Sequence, residues 1–217
     1  TSRGADVVMS RPGIETIDDL AGKRIGVEET AAGALMLRKS LEAAGLGPDD
    51  FTRVPLIGGE QVAAFRAGDI DAAISYEPYA SRLESIGARR LHDSSAFPGL
   101  IVDVLAVHET AIDRQPHALE TLLEAYFEAL GTLRANPGSA YQMMAPRLGL
   151  TTEETHRAFE GIELFGISAN RDWLAPPSQP LRDAAAAVAR IMQSNALIDD
   201  IPGLDALATA RFLPEGP

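Results

Sequence analysis

Three short stretches bring together side chains able to hold a small polar molecule: Glu28-Glu29-Thr30, Ser75-Tyr76-Glu77, and Asp103 within LIVDVLAV. A carboxylate accepts hydrogen bonds and pairs with ammonium or amidine groups, and a tyrosine hydroxyl donates or accepts. Each group also has an ordinary structural reading. Glu28 and Glu29 precede a helical pattern and would offset its dipole by roughly 0.3–1 kcal/mol each. Thr30 fits an N-cap, and Glu77 fits an acid in the first turn of a helix opened by Pro78. Asp103 leans toward function, because a carboxylate inside an apolar strand is costly to bury unless a cation or donor meets it.

Other chemistries find little support. The chain has no phosphate-binding glycine loop, no GxSxG elbow, no HExxH pair and no GxGxxG after a strand. His92, His108, His117 and His156 are far apart and lack metal-ligand spacing. The absence of cysteine removes disulfides, thiolate metal sites and cysteine nucleophiles. No catalytic residue, metal or cofactor is expected, and the chain does not read as an enzyme. The net charge of −12, with Lys23 and Lys39 as the only lysines, leaves no basic stripe for nucleic acid or an anionic membrane. With 217 residues, 46% hydrophobic and 23% charged, the composition is that of a globular protein of one large or two small domains. No apolar run approaches membrane-spanning length.

The elements that would position these groups alternate in the first half. Strands are predicted at 5–10, 23–29, 52–57, 69–76 and 100–107, with a short helical turn at 16–22 and helices at 31–45, 59–68 and 77–87. Continuous apolar strands between helices imply an α/β fold with a mostly parallel sheet covered on both faces. In such sheets ligands bind beyond the carboxyl ends of the strands, where Glu28 and Tyr76 fall. From Pro116 onward the patterns are mainly helical: 116–136, 137–149, 151–161 and 179–195, with a short strand at 162–166. Thr151 and Glu154 match a capping box. Helix 116–136 carries so wide an apolar stripe that it must pack on something.

The order of these pieces resembles the solute-binding proteins of ABC importers, in the NMT1-like group that takes up nitrate, taurine and aliphatic sulfonates. The residues that carry the resemblance are Asp19-Leu20, Gly22-Lys23, Ala64-Phe65, Gly68, Asp71-Ala72-Ala73, Pro78, Asp93-Ser94-Ser95, Pro98-Gly99 and Asp103. They are dense over residues 1–107 and sparser beyond. The resemblance implies a type II periplasmic-binding fold, with two α/β lobes and a ligand clamped between them. Residues 8–105 would form the second lobe; 1–7 and 106–217 would supply a crossover and the C-terminal helical part of a first lobe whose N-terminal portion is absent.

The function implied is extracytoplasmic capture of a small organic solute by hinge closure, for delivery to the permease subunits of the transporter. A monomer at the periplasmic or extracellular face of the membrane is expected. Carried over residue by residue, the amides at Thr30 and Ala31 would face an anionic or polar ligand end. Tyr76 and Glu77 would line the opposite wall, and Asp103 would contact the ligand or brace the hinge. Relatives often carry Gly-Ser or Gly-Thr where this chain has Thr30-Ala31, with Glu29 just before. The surplus of acid disfavours nitrate and favours an amine-bearing solute such as taurine. The same fold also serves as a sensor domain of membrane signalling proteins, which is the alternative. A thiamine-pyrimidine biosynthesis enzyme is more distant, since that group uses a cysteine-rich motif.

Overall fold

The computed structural model describes residues 1–175, 180–194 and 196–215. The apolar runs of the first half become short strands, and the periodic segments between them become helices. In chain order these are β1 (Asp6–Ser10), a 3-10 turn at Asp18–Leu20, β2 (Arg24–Val27), α1 (Ala31–Ala43), β3 (Thr52–Pro55), α2 (Gly58–Ala67), β4 (Ala72–Tyr76), α3 (Tyr79–Ser85) and β5 (Arg89–Asp93). The helical half follows as α4 (Glu109–Arg114), α5 (Pro116–Ala135), α6 (Pro137–Leu148), α7 (Thr152–Phe159), α8 (Ile167–Leu174) and α9 (Pro180–Ser194).

The strands form one sheet in the order β3-β2-β4-β1-β5. Alternation along each strand sends side chains to opposite faces. Val8, Ile25, Val27 and Ile74 pack with Met36, Leu37 and Leu41 of α1 on one face. Val7, Met9 and Ala73 pack with Phe65 of α2 and Leu83 of α3 on the other. Both faces are therefore covered, which is why the strands read as unbroken apolar runs.

The α/β fold class holds, with a difference inside the sheet. β2 runs parallel to β3 and β4, but β1 runs antiparallel to both β4 and β5. Four of the five strands run the same way and β1 alone is reversed, so the sheet is mostly parallel with one antiparallel strand in its interior. A strand buried on both faces has the same apolar signature in either direction, so the pattern could not reveal the reversal. β5 was not anticipated, because RRLHD is polar; only Leu91 packs into the core. The strand expected at 100–107 does not form: residues 102–107 are irregular, and Val104 and Leu105 are exposed, with no strand partner among the described residues. The strand expected at 162–166 is reduced to a single bridge between Ile162 and Ser2. Helices α4 and α8 were likewise not expected. Pro78 sits at the N-cap of α3, one position before the first helical residue. Gln179 and Asn195, the ends of the helix expected over 179–195, lie outside the described residues.

Helix α9 returns to the sheet domain, packing Ile191 and Val188 on Ala34 and Leu35 of α1. The helices α4 to α7 pack on one another in sequence. Leu130 is the one fully buried residue of α5, while Leu122 and Tyr126 are half exposed. Much of the wide stripe thus has no cover among the described residues. No helix among the described residues is long and apolar enough to cross a membrane.

One ion pair fixes the start of the parallel strands. Arg24 donates from its amide and Nε to Asp71 Oδ2 at 2.9 and 3.0 Å, and from Nη2 to Asp71 Oδ1 at 2.9 Å and to the Gly68 carbonyl at 2.7 Å. The guanidinium bonds hold the Asp71 carboxyl below its ordinary range, against the opposing effect of burial. A depressed carboxylate stabilises the fold above its unfolded pKa and loses that contribution as pH falls. Asp71→Asn should therefore cost roughly 1 kcal/mol near neutrality. The gap between variant and wild type should close as thermal unfolding is followed below about pH 4.

Candidate functional site

The sheet opens between β2 and β4. These neighbours pair at Ile25↔Ala72 and Gly26↔Ala73 and no further. Beyond that point β2 stays with β3 to Val27↔Pro55, and β4 stays with β1 to Tyr76↔Asp6. Their following connections also leave in opposite directions, α1 leading out to β3 and α3 toward β5. Adjacent strands that diverge in this way create a crevice at their carboxyl ends, where α/β proteins bind ligands.

A hydrogen-bonded carboxylate spans the crevice. Glu28, just past β2, accepts at Oε1 from the Tyr76 hydroxyl at 3.1 Å and from the Gly58 amide at 3.0 Å. Gly58 opens α2, so Glu28 ties the tip of β4 to a helix start as well as to its own strand. The position needs glycine because any Cβ there would lie 2.2 Å from the Tyr79 ring. Tyr79 in turn meets Tyr76 edge to face, with centroids 5.7 Å apart. Tyr76 remains 39% exposed, so the network faces solvent at the mouth of the crevice. Partial burial, then the Glu28 charge and its hydrogen bond, push the Tyr76 phenol up to about 12. It is a neutral donor throughout the physiological range.

The start of α1 borders the same crevice. Thr30 caps it, its Oγ1 accepting from the Gly33 amide at 3.1 Å and its carbonyl from the Ala34 amide at 2.9 Å. The Ala31 and Ala32 amides precede these bonded donors and have no partner among the described residues. Such amides at a helix start favour negative charge.

The reversed direction of β1 adds a residue that the sequence reasoning missed. Asp6, first in its strand, lands opposite Tyr76 at the carboxyl ends of β2 and β4. It is half buried, and burial raises its pKa; a Ser2 hydrogen bond opposes this and the charge of Asp103 adds to it. A carboxylate opening an apolar strand was a visible signal. The strand's direction, which decides the end it reaches, was not.

The expected residues are thus partly brought together. The Tyr76 hydroxyl donates to Glu28, and Thr30 and Ala31 form the helix start beside them. Glu29 is exposed. Glu77 turns to α3, accepting from the Ser81 amide at 3.2 Å and hydroxyl at 3.1 Å; it lies just before the N-cap Pro78 rather than in the first turn. Asp103 lies on the exposed irregular segment, close enough for its charge to act on Asp6. The histidines stay apart: His108 caps α4, His117 pairs with Glu120, and His156 and His92 lie against Tyr141 and Phe97. No group of three potential metal ligands occurs among the described residues.

Comparison with known proteins places this geometry in context. The sequence matches the NMT1-like family over residues 4–145, well over half of the chain. A relative from Brucella abortus (strain 2308), named provisionally as a binding protein, is 26% identical over 145 residues, covering 65% of this chain and 46% of the relative. The chain spans about half the length of the curated relatives it matches. Among solved structures, the periplasmic aliphatic sulphonate binding protein SsuA of Escherichia coli superposes with a TM-score of 0.71 at 19% identity, covering 98% of this chain and 66% of that one. The desulfurization enzyme DSZB superposes at 0.64 with 22% identity, covering 98% of this chain and 75% of that one. These likenesses show the fold, that of type II periplasmic-binding proteins.

A raised phenol pKa contributes stability that is complete below the unfolded pKa near 10 and lost as pH rises through the folded value near 12. Replacing Glu28 with Gln removes the charge but keeps the acceptor. In Glu28→Gln the Tyr76 phenol, followed by NMR titration with Tyr76→Phe to assign it, should titrate closer to 10 than in the wild type.

Proposed function

This chain belongs to the NMT1-like family, and we propose that it is the ligand-capturing part of an extracytoplasmic solute-binding protein of an ABC importer. The solute is a small organic molecule bearing an amine, with taurine-like sulfonates the favoured class. The observation that carries this reading is the Glu28–Tyr76–Gly58 bridge across the parted ends of β2 and β4, facing solvent beside the α1 start.

The electrostatics separate candidate ligands. Glu28 and Asp6 bring negative charge to the strand tips, and the charge of Asp103 acts on Asp6; on this reading Glu29 and Glu77 add to the same field. A bare inorganic anion would be repelled by them. A zwitterion satisfies both parts of the site: its ammonium meets the carboxylates, and its sulfonate meets the Ala31 and Ala32 amides. The tyrosine hydroxyl, already committed to Glu28, holds that carboxylate in place for the incoming cation.

Capture by such a protein requires a second wall. We assign residues 8–105 to one lobe and residues 1–7 with 106–217 to the crossover and helical part of another. The half-exposed Leu122 and Tyr126 of α5 support this assignment, since a helix with that stripe belongs against a further layer. Delivery to permease subunits, from a monomer outside the cytoplasm, completes the reading.

Isothermal titration calorimetry tests it. Taurine should bind, and Glu28→Gln should weaken it by about 1.5–3 kcal/mol, the scale of a charge-assisted hydrogen bond. An alkanesulfonate lacking the amine should be affected far less. Nitrate binding tighter than any amine would overturn the ligand class, and turnover of the bound solute would move the protein from capture to catalysis.

A further inference from the structure

Gln61 lies within α2 and is fully buried, a poor place for an amide unless it is needed there. Its Nε2 donates to two backbone carbonyls, Leu56 at 3.1 Å and Ile74 at 2.9 Å. Leu56 belongs to the segment joining β3 to α2, and its amide is bonded to the Val27 carbonyl at the end of β2 at 3.1 Å. Ile74 belongs to β4, one residue beyond the last pairing of β2 with β4. The side chain therefore fastens the two strands indirectly, just where their own ladder stops.

The sequence accommodates it there. A Cβ at position 26 of β2 would clash with Ile70 Cδ1 at 2.8 Å, so Gly26 makes room for Ile70, while Gln61 Cγ lies across the same strand position at ordinary contact distance, 3.6 Å. Gln61 sits one turn into the helix whose first amide, that of Gly58, donates to Glu28. Its second bond holds the strand that ends in Tyr76. Both donors to Glu28 Oε1 are thus held through this one carboxamide.

We infer that Gln61 is a positioning residue for the crevice, setting the separation of the β2 and β4 tips so that Tyr76 and Gly58 converge on Glu28. The consequence for affinity rests on the binding reading above. The geometric claim does not, and it is tested on the free protein. Burial of the phenol, then the Glu28 charge and hydrogen bond with smaller effects of Tyr79 and Asp6, raise the Tyr76 pKa, so its titration reports how tightly the Tyr76 tip is held against Glu28.

The experiment compares wild type with Gln61→Met, of similar length but unable to donate. Tyr76 is followed by NMR titration and stability by thermal unfolding. The expected result is a folded Gln61→Met protein whose Tyr76 titrates well below the wild-type value, toward the ordinary 10.0. Leu20→Ala, at a buried position near the start of β2, serves as control: it should lower the melting temperature and leave the phenol where it was. A folded Gln61→Met with an unchanged Tyr76 titration overturns the inference, whatever its melting temperature. Should that variant not fold, Gln61→Asn keeps an amide in the core but is too short to span both carbonyls, and the same two outcomes apply. A shifted phenol in a protein that does not bind taurine would leave the positioning role standing and remove the ligand class.

Discussion

The parting of β2 from β4 after Gly26 and Ala73 is the constraint on which the rest depends. Two parallel strands that separate before they end leave backbone groups and side chains at their tips without ladder partners. Buried polar groups must then find partners elsewhere or stay wet. Here the deep part of the gap is closed by Gln61 and the outer part by Glu28 with Tyr76. Between the α1 start and these carboxylates lies a strip of surface with a negative side and an amide-donor side.

The opposite end of the sheet shows the contrast. There Arg24 and Asp71 satisfy each other and the Gly68 carbonyl. The charge of that pair is structural. At the carboxyl ends the acids outnumber their partners: Glu28 has one oxygen engaged, and Asp6 is half buried with a like charge from Asp103 nearby. In the proposed function, this excess charge beside the Ala31 and Ala32 amides is what would receive the two ends of a zwitterion. Membership in the NMT1-like family agrees with a binding role, while the shared fold of SsuA and DSZB shows that the scaffold alone does not decide between binding and catalysis.

What the sequence revealed follows from what periodicity can encode. Helices α1, α2, α5 and α6 were legible because their apolar stripes and caps are local properties. Thr30 was legible as an N-cap for the same reason. Asp6 was missed because its place depends on β1 running antiparallel, a fact about distant pairing that no local pattern records. The run at 100–107 read as a strand because its residues favour one, yet a strand needs a neighbour and none of the described residues supplies it. Glu77 and Glu28 looked equivalent as acids at strand ends. They part company over neighbours: Ser81, four residues on, claims Glu77, whereas Glu28 reaches Tyr76 and Gly58, far along the chain. Gln61 looked like any polar residue of a short helix, and its burial emerged only from the gap it fills.

The most direct measurement is an experimental electron-density map of the protein grown with taurine. The account predicts density in the crevice with the ammonium within hydrogen-bonding distance of Glu28 and the sulfonate at the Ala31 and Ala32 amides. Taurine bound elsewhere, or a crevice filled by the protein's own side chains between β2 and β4, would contradict it.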